Sequence, residues 1–256
     1  MIENYRPRLN LYETQSAIGF IKQTFQFELS RRLHLMRATA PLFVDQATGL
    51  NDDLSGIERP VSFDIPGVPG VQSAQVVHSL AKWKRQALGE YGFQPDTGLW
   101  TDMNAIRRDE EPDALHSIYV DQWDWEKVIT ADMRTVDELK RTVTDIVDAI
   151  CSTLSAVKCM YPQIQVYLHR EVSFVTAQEL EDLYPTLSGK ARENAYEEIT
   201  ASSPLALLST IIRMAPSTSL SMMELNIQET SFPYSSYTLW TVRRPSSYSA
   251  LSMSRT

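Results

Sequence analysis

Apolar residues recur every third or fourth position between Thr14 and Leu33, and Ile18, Ile21, Phe25 and Leu29 fall on one line, so a helix is predicted there with Thr14 as its cap. After Arg32 the period changes. The stretch Leu35-Met36-Arg37-Ala38-Thr39-Ala40-Pro41-Leu42-Phe43-Val44 reads as extended chain, with Pro41 suited to a strand end or an edge. Residues 48 to 56 are polar and bracketed by Gly49 and Gly56, which predicts an exposed loop. Pro60, Pro66, Gly67, Pro69 and Gly70 mark a second loop or hairpin. Val76-Val77 then predicts a short strand, and Ser79 an N-cap for a helix through Leu80 and Trp83 to Leu88, with Lys82, Lys84 and Arg85 on its polar side.

From His116 to Glu126 the string HSIYVDQWDWE alternates strictly. A strand there puts Ile118, Val120, Gln122, Asp124 and Glu126 on one face and Tyr119, Asp121, Trp123 and Trp125 on the other. An amide and two carboxylates therefore line up on one face, while the tryptophans are expected to pack a core. Thr135 and Glu138 form a capping box. Val136, Leu139, Val143, Ile146, Ile150, Leu154 and Val157 then extend one apolar stripe, which predicts a second long core helix. A strand near Ile164 to Leu168, or a little later around Val172 to Val175, and a second capping box, Thr176 with Glu179, precede a short helix that ends before Pro185. Helices mixed with antiparallel-looking strands predict an α+β fold.

Beyond residue 200 the character of the chain shifts. Residues 201–256 hold no Gly, Asp or Lys, and about a quarter of them are Ser, a bias unlike that of a globular domain. The expected division is a body over 1–200 and an atypical Ser-rich tail over 201–256 with little regular structure. A shifted reading frame or a divergent tail would each produce it, and composition favours the first.

The chain of 256 residues has 43% hydrophobic and 22% charged residues, ordinary for a globular protein, and one domain is the default. Its net charge of -8 argues against non-specific nucleic-acid binding and favours a small-molecule substrate. No secretory signal or membrane-spanning run is read, so a cytoplasmic protein without a membrane role is expected. Cys151 and Cys159 lack a His at ligand spacing and are expected to be buried free thiols.

Two strings, VVHSLAKWKRQALGEYGF at 76–93 and LHSIYVDQWDWEKVI at 115–129, resemble segments of ammonia-dependent asparagine synthetases (aspartate ammonia ligases). So do the linking GLWTDMNAIRRDEEPDA, the string NDDLSG at 51–56, and the helix and strand ending at Pro41, a similarity covering roughly residues 10–197. The resemblance implies a class II aminoacyl-tRNA synthetase-like fold, an antiparallel sheet flanked by helices, with its C-terminal part incomplete. It implies that aspartate's side-chain carboxylate attacks the α-phosphate of ATP. The resulting β-aspartyl adenylate would then yield to ammonia, giving asparagine and AMP. Among the site residues it implies, Arg107 serves the α-phosphate and Asp109 stands where the ATP-binding motif usually has Glu. Lys84 suits a substrate carboxylate, Gln122 a polar contact, and Asp52 and Asp124 the ammonium or incoming ammonia. Magnesium is the implied companion of ATP, with its ligands unknown, and a homodimer through the first helix is the implied assembly. The Gly-rich third motif and the acidic loop of the family have no counterpart after Gly189 and Asp182, so the chain is expected to be inactive as a ligase, and the alternative function is a catalytically silent binding or regulatory module.

Overall fold

The protein is described by a computed structural model. It covers residues 6–51, 56–112, 116–166, 168, 170–189, 191–192 and 195–196, together with the backbone of four strands between 210 and 255. Eleven strands and four α-helices are seen among the described residues. In chain order the first elements are α1 (Leu11–Leu33), β1 (Leu35–Arg37), β2 (Phe43–Asp45), β3 (Ser62–Phe63), β4 (Ala74–Val76) and α2 (Ala81–Glu90). These are followed by β5 (Gly98–Ile106), β6 (Tyr119–Ile129), α3 (Val136–Met160), β7 (Val175–Thr176) and α4 (Ala177–Leu183). The last four are β8 (Thr210–Met214), β9 (Met222–Ile227), β10 (Tyr237–Thr241) and β11 (Ser249–Arg255).

The large sheet has the order β1-β5-β6-β11-β10-β9-β8-β7, and β2-β4-β3 form a small one. Its centre is a long antiparallel pair, β5 on β6, running in register from Gly98↔Lys127 to Ile106↔Tyr119. The strict alternation in β6 has the expected consequence. On one face Trp125 and Ile129 join Trp100 of β5 and the apolar sides of α1 and α3, through Leu29, Leu33, Leu139, Val143 and Ile146, in the main core. Trp123 stacks on Trp100 with ring centroids 5.2 Å apart and meets the edge of Phe25 at 5.1 Å, so both tryptophans of β6 are packing residues. The other face carries Leu99 and Val128 against Ala87 and Leu88 of α2.

Several expectations are corrected. The cap of α1 is Asn10, whose side chain accepts from the Glu13 N–H in a full capping box, while Thr14 sits inside the first turn and donates to the Asn10 carbonyl at 2.8 Å. Of the predicted stripe, Leu29 is in the core and Phe25 packs on it, but Ile18 and Ile21 are exposed. The extended stretch through Pro41 is two short strands, β1 and β2, because the proline nitrogen has no hydrogen to give a ladder. Helix α2 starts from Leu80 without a side-chain cap, since the hydroxyl of Ser79 lies 3.5 Å from the Ala81 N–H. Thr135 does cap α3, but Glu138 turns instead to Arg141. The box at Thr176 and Glu179 forms complete. Cys151 is buried, whereas Cys159 is exposed on α3.

After residue 200, where little regular structure is expected, the described residues are the strands β8 to β11, and β11 pairs with β6 from Ser249↔Ile129 to Met253↔Trp125. Pairing with β11 covers the N–H and C=O groups that the edge of β6 would otherwise leave open.

Candidate active site

On α2, Leu80, Lys84, Ala87 and Leu88 recur at helical spacing, so the face that docks on β6 carries a lysine among apolar residues. Docking buries that lysine completely. Its Nζ lies 2.7 Å from Asp124 Oδ1 and 3.2 Å from Glu126 Oε2, and it donates to the Trp125 carbonyl at 3.1 Å. Arg85, next on the helix, brings its Nε to 3.6 Å from Glu126 Oε1. Two cations thus meet two buried carboxylates, and pairing of this kind is the condition under which a buried charge is tolerated.

Gln122, Asp124 and Glu126 are all buried and all on this face, as the alternation requires. Burial pushes the Asp124 carboxyl up to about 6, with Lys84 opposing the rise and Glu126 adding to it. Burial likewise pushes Glu126 up against the pull of Lys84 and Arg85. Asp124 Oδ1 also accepts from its neighbour's N–H at 2.9 Å. Asp124 Oδ2 and the Thr101 hydroxyl, directly across the strand pair from Asp124, make no hydrogen bond to the described residues, while the Glu126 oxygens lie against Lys84 and Arg85. Buried acceptors of this kind are costly unless a donor arrives, and a primary ammonium or ammonia is such a donor.

Arg107 follows β5. On that strand Leu99, Thr101, Met103 and Ala105 alternate onto the Gln122 face, and Arg107 continues the same parity as its N–H closes on the Ile118 carbonyl at 2.7 Å. It stands about 14 Å along the sheet from Gln122, four residues of strand rise. Burial lowers the Arg107 guanidinium's pKa, and the carboxylates of Glu110 and Glu58 act against this. Asp109, two residues on, has both carboxylate oxygens on Arg59: Nη2 at 2.5 Å from Oδ1, and Nε at 3.1 Å and the backbone N–H at 2.8 Å from Oδ2. Those hydrogen bonds from Arg59 hold the Asp109 carboxyl down at about 2.

Asp52 lies outside the described residues. Its neighbour Asn51 is buried and accepts from the His78 N–H at 3.1 Å, donates to the Val76 carbonyl at 3.1 Å, and receives Lys82 Nζ on its own carbonyl at 3.4 Å. The structure therefore pairs Lys84 with Asp124 and places Gln122 on the same strand face as Asp124, while Arg107 follows the end of β5. Two contributors were not singled out in the sequence. Glu126 shared the alternation with Gln122 and Asp124 and was legible from it, while Asn51 in a polar loop carried no signal. Among the described residues, no group of three or more His, Cys, Asp or Glu is arranged to hold a metal ion.

The aspartate-ammonia ligase family model matches residues 12–207. The aspartate–ammonia ligase of Ruminiclostridium cellulolyticum is 53% identical over 193 residues, covering 75% of this chain and 57% of that protein. The enzyme of the same name from Limosilactobacillus reuteri is 50% identical over 192 residues with the same coverage. The chain thus spans 57% of the length of these relatives. Among solved structures, asparaginyl-tRNA synthetase from Pyrococcus horikoshii complexed with asparaginyl-adenylate superposes with a TM-score of 0.63 at 11% identity, over 94% of this chain and 63% of that one. Aspartyl-tRNA synthetase from Entamoeba histolytica gives 0.55 at 11% identity, over 93% and 53%. At such identities the likeness is one of fold, and the fold is that of the class II aminoacyl-tRNA synthetases.

Proposed function

Because the chain belongs to the aspartate–ammonia ligase family, we propose that its site activates L-aspartate with ATP and joins the product to ammonia, giving L-asparagine, AMP and pyrophosphate. The observation that carries this reading is the fully buried Lys84–Asp124–Glu126 cluster beside Gln122. Aspartate brings two carboxylates and one ammonium, and the cluster offers a cation and anions a few ångströms apart. Lys84 holds a substrate carboxylate, Gln122 adds a polar contact, and Asp124 receives the ammonium or the incoming ammonia. The same role falls to Asp52 by the family resemblance. Arg107 meets the α-phosphate, where negative charge accumulates as the carboxylate oxygen attacks and pyrophosphate leaves. Asp109 serves the same nucleotide loop. Magnesium supplies charge neutralisation on the nucleotide phosphates when bound, and no described cluster of side chains fits it as a resident ion.

In this reading residues 1–200 carry the site and 201–256 are a separate tail segment. The functional unit is a cytoplasmic homodimer with no nucleic-acid partner. A second reading, a catalytically silent binding module, draws on one observation: no Gly follows Gly189 and no Asp follows Asp182, so the Gly-rich and acidic segments expected from the family resemblance have no counterpart in those residues. Incubation with aspartate, ATP and ammonia separates the two. Ligation releases AMP and pyrophosphate in step with asparagine, whereas the silent module binds nucleotide and releases none of the three.

A further inference from the structure

We propose that Arg59 is a positioning residue that clasps the β5–β6 loop, so that Asp109 acts through Arg59 to set Arg107 rather than by touching the nucleotide itself. The inference rests on the nucleotide role proposed for Arg107. In the geometry seen both oxygens of Asp109 are engaged by one guanidinium in a forked pair, and Oδ2 also accepts from the Arg59 backbone N–H. Such bidentate, charge-assisted contacts fix orientation as well as distance. Pro60 restricts Arg59 to extended backbone, which holds its N–H and its side chain toward the same partner.

The neighbouring residues repeat the pattern with the signs exchanged. Glu58 is one of the two carboxylates that act on the Arg107 guanidinium, the other being Glu110 from the loop itself. The dipeptide Glu58-Arg59 therefore faces Arg107 and Asp109 with matched opposite charges. Near its base the loop is also tied by the Arg107 N–H to the Ile118 carbonyl at 2.7 Å and the Glu110 N–H to the Arg107 carbonyl at 3.2 Å. An arginine that must meet a phosphate within a few tenths of an ångström depends on support of this kind.

The pair is at the surface, so both members can be changed without disturbing the core. Arg59→Asp, Asp109→Arg and the exchanged double variant are made in the full chain, with thermal melting to verify folding. Two quantities are then measured: backbone amide exchange of residues 107–118 without nucleotide, and ATP affinity by calorimetry. Each single reversal should speed exchange in the loop and weaken ATP by about tenfold, and the exchanged pair should bring both back to within about threefold of the unmodified chain. Arg59→Lys, which cannot fork, should fall between. Unchanged loop exchange in the single variants overturns the clasp, and failure of the exchanged pair to recover ATP affinity overturns the claim that Asp109 works through Arg59. If exchange behaves as expected but the unmodified chain binds no ATP, the clasp stands as a loop-ordering device and the ligase reading falls instead.

Discussion

Removing the Lys84 ammonium would leave Asp124 and Glu126 as two buried carboxylates with Arg85 as the cation in reach among the described residues, so Lys84→Ala combines a stability loss of about 3 kcal/mol or more with a raised KM for aspartate. Arg107→Ala acts differently. Its guanidinium meets charge that grows in the transition state, and its loss should lower the rate of adenylate formation about a hundredfold or more, with little effect on aspartate capture. Pyrophosphate release measured against each substrate in turn separates the two. Asp124 adds a pH signature: its carboxyl, pushed up to about 6 chiefly by burial, takes a proton as pH falls through that value and loses its hold on an ammonium. KM for aspartate should therefore rise below about pH 6 in the unmodified chain, and a profile flat down to pH 5 would count against this role. The sign for stability is opposite to that of a paired surface carboxylate. With the folded value above the ordinary 3.8, this group's contribution is present at low pH and is lost as pH rises toward about 6. At this scale Gln122, Asp124 and Glu126 were legible because period two has only one outcome once a strand is buried on both faces. Lys84 was not legible from pattern alone, since a lysine beside Lys82 and Arg85 reads as solvated until the helix is docked.

Elements were placed well where one period ran long, as in α1, β6 and α3, and poorly where the signal was a single residue. Thr14 and Ser79 both had the chemistry of a cap, but cap choice depends on where the preceding chain enters, and in α1 Asn10 reached the N3 amide first. The β5–β6 pair depends on Gly98 in a way no composition reveals. A Cβ built there would lie 2.1 Å from the Glu126 carbonyl oxygen and 2.7 Å from the Lys127 Cα, both backbone atoms that cannot step aside. Gly98→Ala should therefore force the start of β5 away from β6 and cost about 2–4 kcal/mol, a cost readable as a lower urea midpoint. A midpoint unchanged within error would show that the strands are further apart at this register than described.

For the whole molecule, the proposed homodimer draws on the apolar residues that α1 and the first strands leave exposed. Leu11, Tyr12, Ile18, Ile21 and Phe27 of α1 and Met36 of β1 are exposed, as are Leu42 and Phe43 just beyond. A two-fold contact would bury one such patch on both subunits, so sedimentation at micromolar concentration should show a dimer, and Ile21→Asp should yield a monomer. The sheet order beyond β6 was not legible, because strand propensity says which segments can pair and only the open edge of β6 says which of them do. Central to the account is that Lys84, Gln122, Asp124 and Arg107 form one site for aspartate joined to AMP. Its most direct test is calorimetry of the 256-residue chain with a non-hydrolysable β-aspartyl-adenylate analogue. The account predicts one site per chain, binding far more tightly than aspartate or AMP alone and weakened by both Lys84→Ala and Arg107→Ala; no binding, or binding indifferent to both substitutions, would contradict it.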